Sequence, residues 1–566
     1  MSLTKWNDDL QESNMEKIKS FFTDMNKDKA LKIAAVLAAA IGVLYAIIFF
    51  VRRCYNPTTF FRSNLYYALM FIPMIAVTIY MLRILLLDKE WSYPRMFVIM
   101  AIGWTFSMQL VMAPLSGPDE VQHYYSAYHA SNKMMGIKDE NVGVEGNPNK
   151  WVEGESHFKM RAEDYYMLPY VDCTFPYQFP VLANGNFFKN APDQQGTVDV
   201  YIAPSPWYRY LLSGLGITIG RLLGLGFAGV IFLGRFMNSL SLILAGWFCL
   251  KLLPVGKHQL VSFLLFPGVI HICSSYSYDN MSILVSLLLF TLCLHYSKPE
   301  VKLHAWDLVI LGGCVAVLIP NKTVYALFIV WIFAIPVKKW WTDVALSKKW
   351  YEYATLGVLL AGFVVVFKRL VVPFYGYIMG EIFWRGDDSE IQSVPGIKAY
   401  TWDYFMEHKA ETFKFAWDGI KVDFWFNIKC IIGKILGSVR LNAEISTAIV
   451  VVILVCLLAG LIFIKGKRLP AWQMVIFGFG MLICVISIFA GCLTKYTPAE
   501  GSQRIQISFR YLMPVYLTMC VGLGTDAKEN KLALVLLYIQ NIALIFATCG
   551  YLYFLLHLRD GMPAPF

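Results

Sequence analysis

The sequence has few charged residues for its length. Asp, Glu, Lys and Arg make up 16% of its 566 residues, whereas a soluble domain carries roughly 25%. Hydrophobic residues make up 57%, and runs such as 31–51, 445–464 and 532–553 are long enough to cross a hydrocarbon layer about 30 Å thick. These runs lack the alternation of a membrane β-barrel. We therefore predict an all-α polytopic membrane protein.

The sequence also lacks a secretory cleavage site, a cysteine framework and internal repeats. About thirty mostly polar residues precede the first apolar run, so we expect that run to be kept as a membrane span. Most of the twelve cysteines lie in apolar runs, where cysteine behaves as a small apolar residue. We expect no disulfide framework, with a Cys173–Cys430 bridge as the minor alternative.

The formal charge is +10, but most Lys and Arg residues lie in short connections between apolar runs, which is an orientation signal. We therefore expect no nucleic-acid partner. Residues 207–225 resemble an amphipathic helix lying on the membrane surface. With that assignment, the basic loops near Lys251, Lys338 and Lys465 all fall on one side, which is predicted to be the cytoplasm.

The apolar runs predict about thirteen transmembrane helices. Two polar segments, 114–206 and 374–444, are far longer than ordinary connections of about 4–6 residues, and both are predicted to lie outside. We expect the first to form a small subdomain. The predicted division is a cytoplasmic or interfacial segment at 1–30, additional spans at 31–94, a membrane core at 95–373 that includes loop 114–206, a second external loop at 374–444, and C-terminal helices at 445–566.

An acidic turn follows the third predicted span. Its sequence, Ser-Gly-Pro-Asp-Glu-Val-Gln-His, covers residues 116–123. Pro118 suits the first turn of a helix, and a helix here would place Glu120 and His123 on one face beside Asp119. Such a group could be a general base, a metal site or a helix cap, and the spacing leaves these alternatives open. A di-iron site would need a second Glu-x-x-His, which we do not find.

Further polar residues occur near the predicted outer ends of spans. Each alone could anchor a helix at the interface, but ionisable groups near hydrocarbon are costly and usually face a cavity. Together they predict a cavity for an anionic, lipid-borne substrate. The residues are Arg235, Asn238, Ser274, Ser275, Tyr278, Asp279, Asn321, Lys322, Arg504 and Arg510.

Four stretches, in the same order, resemble a bacterial membrane family that has been known only as a domain of unknown function. They are Pro-Asp-Glu-x-x-His at 118–123, Gly-Arg-Phe-Met-Asn at 234–238, Ser-Tyr-Ser-Tyr-Asp at 275–279 and Phe-Arg-Tyr-Leu-Met-Pro at 509–514. The resemblance covers roughly residues 95–530. The chain departs from it at Phe509, where the family has glycine, and in its two additional N-terminal spans.

That family in turn resembles the GT-C glycosyltransferases. These are multi-span bundles with a catalytic carboxylate in the first large external loop and a polyprenyl-phosphate sugar as donor. The resemblance implies a GT-C-like bundle in the bacterial cytoplasmic membrane, with an extracytoplasmic active site. It further implies an enzyme, expected to be inverting, that transfers the sugar to a cell-envelope glycan or lipid-linked acceptor.

The resemblance also suggests roles for individual residues. Asp119 would be the general base, Glu120 its partner or a metal ligand, and His123 an orienting group. No cofactor is required, although Asp119 and Glu120 could hold Mg²⁺ or Mn²⁺. The donor phosphate would be held by Arg235, Lys322, Arg504 and Arg510, and the site would also be lined by Asn238, Tyr278, Asp279 and Tyr511.

Two other classes of function remain open on the sequence. A flippase or other transporter of lipid-linked glycans would share the spans and buried cations but would not need a folded external loop with an acidic turn. A polysaccharide polymerase or ligase would also be lipid-fed and external. In each case the expected partners are a polyprenyl-phosphate-linked sugar, a glycan or lipid acceptor, and membrane lipids.

Overall fold

The computed structural model describes residues 27–55, 57, 61–112, 114–139, 157–165, 188, 193, 195–199, 207–345, 354, 357, 400–437, 443–497, 505 and 507–560. Helices dominate these residues, as the low charge and long apolar runs predict. The prediction of an all-α polytopic membrane protein is confirmed at this level, with two short two-stranded sheets added.

The elements follow one another along the chain in this order. The N-terminal half contains α1 (Lys27–Phe49), a π-helical extension (Phe50–Cys54), α2 (Phe61–Leu87), α3 (Tyr93–Val111), α4 (Glu120–Met134), β1 (His157–Arg161), β2 (Gln195–Asp199), a 3₁₀ helix (Trp207–Tyr210), α5 (Leu211–Leu222), α6 (Phe227–Leu252), α7 (Lys257–Leu264), α8 (Pro267–Cys273) and α9 (Asp279–Ser297). The C-terminal half contains α10 (Ala305–Asn321), a 3₁₀ helix (Thr323–Ala334), α11 (Val337–Lys339), a π helix (Trp340–Ala345), α12 (Trp402–Glu407), α13 (Lys409–Ile432), β3 (Ile435–Leu436), β4 (Ala443–Glu444), α14 (Thr447–Phe463), α15 (Ala471–Tyr496), a 3₁₀ helix (Phe509–Tyr511), α16 (Met513–Gly522) and α17 (Lys531–Asp560).

Within the described residues, seven helices are long and apolar enough to cross a membrane. An eighth candidate is the pair Thr323–Ala334 and Val337–Val344, which is bent by 80°. Three shorter apolar helices, α10, α14 and α16, fall below that length. The predicted span 352–373 lies outside the described residues except at positions 354 and 357. The number of about thirteen spans stays a prediction.

Two predicted spans differ from continuous α-helices. The run 257–275 is broken into α7 and α8 because Pro267 disfavours a helical conformation at the residue before it, and Phe266 is extended, with φ −64° and ψ 133°. The run 322–337 is largely a 3₁₀ helix of 12 residues, Thr323–Ala334. A 3₁₀ helix rises about 2.0 Å per residue, so it covers more depth per residue than an α-helix.

The described part of loop 114–206 packs with the neighbouring helices around a second hydrophobic cluster. We call α4, β1 and β2 the loop subdomain. Its two strands are antiparallel and pair His157 with Asp199. Buried Tyr124, Tyr128 and Met160 belong to a cluster separate from the main membrane core. Helix α4 packs on α5, and the cluster also includes Phe227 and Val230 at the start of α6.

Helix α5 has 12 residues, too few to cross a membrane. Glycines on one side allow close packing: a Cβ at Gly216 would lie 2.3 Å from the carbonyl oxygen of Leu233. The opposite side exposes a stripe of apolar side chains, Leu211, Leu215, Ile219 and Leu222. This amphipathic form is the one that the prediction of a membrane-surface helix requires.

The two additional N-terminal spans pack against the C-terminal helix. Tyr538 in α17 donates a hydrogen bond to the carbonyl oxygen of Ala35 at 2.7 Å. Buried Asn541 accepts from Trp104 Nε1 and donates to Thr78 Oγ1, each at 2.9 Å. These contacts join α1, α2, α3 and α17 into a layer that supplies none of the site residues described below.

Candidate functional site

The acidic turn joins α3 to the loop subdomain. Leu115 and Asp119 have left-handed backbone conformations, with φ 63° and 56°, and Asp is one of the few residues that tolerate this region. Helix α4 begins at Glu120, so Pro118 precedes the helix instead of occupying its first turn. Asp119 stands at the N-cap position, but its side chain makes no capping hydrogen bond. The helix-cap alternative for Asp119 is therefore wrong.

The two adjacent carboxylates point to different environments. Glu120 is 1% exposed, and its oxygens accept hydrogen bonds from the backbone N–H groups of Gly117 at 2.8 Å and Tyr276 at 3.0 Å. The Asp119 side chain is 59% exposed and pairs with Arg510. Glu120 thus ties the turn to the start of α9, while Asp119 faces the open side.

This divergence bears on the predicted metal site. Asp119 and Glu120 do not converge on one point, so a shared ion would require Glu120 to leave its two backbone donors. In the part of the chain that the structure describes, no group of three or more His, Cys, Asp and Glu side chains is placed to hold a metal ion.

The surroundings also separate the two carboxylates electrostatically. Burial raises the pKa of Glu120, although Arg235 and its backbone donors oppose the shift. Burial would raise the pKa of Asp119 as well, but the charge and hydrogen bond of Arg510 bring it below the ordinary value of 3.8. Asp119 is therefore ionised at neutral pH and accessible.

Four alternating charges run inward from the turn: Asp119, Arg510, Asp279 and Lys322. Arg510 donates from Nη2 to Asp119 and from Nη1 to the carbonyl oxygen of Pro118 at 3.0 Å. Its Nε lies 3.4 Å from Asp279 Oδ2, and Lys322 donates to the other oxygen of Asp279. The structure thus brings together four residues that are far apart in the sequence.

Aromatic rings surround this charge chain. His123 is 8% exposed, and its Nδ1 lies 2.9 Å from the Tyr210 hydroxyl. Its ring meets Tyr278 edge to face, with centroids 5.1 Å apart. Burial and the charge of Arg510 lower the pKa of His123 to about 4, so the imidazole is neutral at physiological pH. Lys322 Nζ lies 3.6 Å from the ring centroid of Tyr511.

Arg235 and Asn238 lie beneath the site. Arg235 is 1% exposed and donates to the carbonyl oxygens of Ser274 at 2.9 Å and Met112 at 3.0 Å. Its Nε is 3.7 Å from Glu120. Asn238 donates to the carbonyl oxygen of Ser275 at 2.6 Å. For Arg235 this geometry favours a supporting role over the predicted contact with phosphate.

One predicted residue is not described, and two described residues were not predicted. Arg504 lies outside the described residues. Tyr210 and Arg209 belong to the short 3₁₀ helix before α5 and reach the site: Arg209 Cζ lies 5.1 Å from the centroid of the Tyr278 ring. Both lie at the start of the predicted surface helix 207–225, which directly follows the acidic loop, and that position was the signal that could have indicated them.

Residues 99–519 match the model of a family described as "Predicted membrane protein (DUF2142)", which is more than half of the 566 residues. The chain belongs to this family. The family description confirms an integral membrane protein and assigns no activity. Its match begins inside α3 and ends inside α16, so it includes all the site residues above and leaves α1, α2 and α17 outside. No curated protein and no solved structure matches the chain.

Proposed function

We propose that the chain is a GT-C-type glycosyltransferase. It would transfer a sugar from a polyprenyl-phosphate donor to a cell-envelope glycan or lipid-linked acceptor on the extracytoplasmic side of the bacterial cytoplasmic membrane. The observation that carries the proposal is the exposed carboxylate of Asp119 beside the buried Arg510, with the partly buried Lys322 farther along the same chain of charges. Glycosyl transfer from a lipid phosphate needs this combination of a base and positive charge.

The proposed reaction has one proton transfer and one bond exchange. The oxygen of the acceptor hydroxyl attacks C1 of the sugar, and Asp119 takes the proton of that hydroxyl. The bond from C1 to the phosphate oxygen breaks, and the phosphate leaves with the electron pair. Attack opposite to the leaving group inverts C1. The phosphate leaves without a proton, so positive charge from side chains such as Arg510 and Lys322 stabilises it, and no step of the scheme uses Mg²⁺ or Mn²⁺.

The other residues around Asp119 would position these groups. Glu120 holds the backbone of the turn through Gly117 and Tyr276. Neutral His123 is fixed by Tyr210 and Tyr278 and would orient the acceptor or donor without competing with Asp119 for the proton.

The proposal is tested with the purified full chain in proteoliposomes. Labelled polyprenyl-phosphate sugars and extracted envelope lipids are supplied, and the products are identified by mass spectrometry. A new glycosidic product that is lost in Asp119→Asn is the expected result. Movement of the donor across the bilayer without a covalent product would instead identify a flippase. Envelope glycans from cells with and without the gene would identify the acceptor class.

A further inference from the structure

The charges at the proposed site balance without a substrate. Arg510 faces Asp119 and Asp279, Lys322 pairs with Asp279, and Arg235 faces Glu120. Three cations thus meet three carboxylates. His123 adds no charge at neutral pH because its pKa is about 4. A phosphate brought to this cluster would add negative charge that these residues do not offset, so a further cation is needed.

Arg209 is a further cation that lies close to these charges. Its guanidinium lies over the Tyr278 ring at 5.1 Å, and the same ring lies 5.4 Å from Lys322 Nζ and contacts His123. Arg209 Nε is buried and has no hydrogen-bond partner. Arg209 is therefore adjacent to the charge chain and has an unused donor.

Two described carboxylates near Arg209 in the sequence are paired with other arginines. Asp193 pairs with Arg221 at 3.0 Å and Asp164 with Arg161 at 2.7 Å. We find no ion pair of Arg209 within the described ranges. Among the described residues, no carboxylate offsets the charge of Arg209, whereas carboxylates already face Arg510 and Lys322.

The residues next to Arg209 are of the kinds found at a membrane interface, which indicates the class of ligand that Arg209 would bind. Trp207 and Tyr208, next to it in the 3₁₀ helix, are 38% and 47% exposed, and such aromatic residues concentrate at the level of lipid headgroups. Helix α5 follows with its exposed stripe of Leu211, Leu215, Ile219 and Leu222. An interfacial helix of this kind buries its apolar side at the boundary of headgroups and acyl chains. With α5 at the interface, as the sequence predicts, Arg209 would lie at the level of the lipid phosphates.

We propose that Arg209 binds the phosphate of a lipid entering the site from the bilayer, while the apolar stripe of α5 contacts the hydrocarbon chain of that lipid. The inference rests on the proposed function in so far as the lipid is the donor. Phosphate in a polyprenyl phosphate and in a phospholipid headgroup offers the same chemistry to a guanidinium.

The test uses the full chain in phosphatidylcholine nanodiscs and a long-chain polyprenyl monophosphate that carries no sugar. Binding is measured for the wild type, Arg209→Ala, Arg209→Lys and the control Lys133→Ala. Lys133 is exposed at the end of α4, so its loss removes one positive charge from the neighbouring loop subdomain. We expect Arg209→Ala to weaken binding about tenfold or more, Arg209→Lys to weaken it less, and Lys133→Ala to leave it unchanged.

The outcomes separate the inference from the proposed function. Equal binding by the wild type and both Arg209 variants would overturn the role of Arg209 and leave the glycosyltransferase proposal standing. A wild type that binds no polyprenyl phosphate would overturn both. Phosphatidylglycerol added to the nanodiscs distinguishes the two lipid sources: competition at equal concentration assigns the subsite to bilayer lipid, and its absence assigns it to the polyprenyl phosphate. Thermal unfolding of each variant confirms that it is folded.

Discussion

Replacing Asp119 by Asn separates the two roles that the structure supports for this carboxylate. Asn keeps the shape of the side chain and tolerates the left-handed backbone of residue 119. It cannot accept the proton of an acceptor hydroxyl. A general base contributes roughly 10²–10⁴-fold to the rate, so transfer should fall by that factor.

Donor binding by Asp119→Asn should become tighter while transfer falls. Asp119 competes with the donor phosphate for Arg510, and Asn removes the competing charge. The Asp119 side chain is 59% exposed, so its pair with Arg510 is screened and stabilises by about 0.2–1 kcal/mol. Donor affinity should therefore rise about 1.4-fold to 5-fold. Arg510 stays in place because it retains Asp279 and the carbonyl oxygen of Pro118.

The assay measures donor affinity, transfer rate and thermal unfolding on the same preparation. Asp418→Asn is a matched control, because Asp418 is an exposed carboxylate 3.5 Å from Lys421 on α13, away from the acidic turn. Its three values should equal those of the wild type. Near-normal transfer by Asp119→Asn would refute the assignment of the base. Weaker donor binding in a stable variant would refute the competition for Arg510.

Three further predictions concern pH, stability and topology. The pKa of Asp119 is lowered and that of His123 is about 4, so neither group changes its charge near neutral pH. Transfer should therefore be constant from about pH 8 to about pH 6 and fall only in more acidic buffer. A fall in the transfer rate within that range would indicate another base. Glu120→Gln should lower the free energy of unfolding by about 1–3 kcal/mol, because it disturbs a buried acceptor of two backbone hydrogen bonds. Transfer should remain measurable. A variant of full stability that transfers no sugar would show that Glu120 takes part in the reaction. In a Cys173→Ser background, an impermeant maleimide should label Lys133→Cys in intact cells but Arg468→Cys only after permeabilisation, since the other native cysteines are buried or half-buried; the reverse pattern would place the site on the cytoplasmic side.

The fold class could be predicted from the sequence because a long apolar run in lipid must satisfy its own backbone hydrogen bonds, which it does as a helix. The form of those helices could not. The break at Pro267 depends on one residue and could have been expected, whereas a 3₁₀ helix at Thr323–Ala334 has no such local signal. The structure describes eleven cysteines, each as a free thiol, while Cys173, and with it the alternative bridge to Cys430, falls outside the described residues.

At the site, the sequence indicated which residues take part but not the direction in which each side chain points. Asp119, Asp279, Lys322 and Arg510 were predicted from their places at the ends of spans, and the structure brings them into one chain of charges. The inward direction of Glu120 depends on a contact with Tyr276, 156 residues away, which spacing cannot show.

Arg209 was not predicted for a related reason. In a surface helix a basic residue is ordinarily an anchor that keeps its charge in water. Only the packing of Tyr278 against both Arg209 and His123 distinguishes it from such an anchor.

The left-handed backbone at Asp119 limits how the chemistry at this position could be re-engineered. A longer base such as Glu would have to adopt φ near 56° at a cost of roughly 1–2 kcal/mol. Asn and Gly suit the backbone but cannot accept a proton. Among carboxylates, Asp alone meets both conditions without strain. Variation that changes the acceptor or the sugar should therefore come from the residues around the turn, and position 119 should not vary with it.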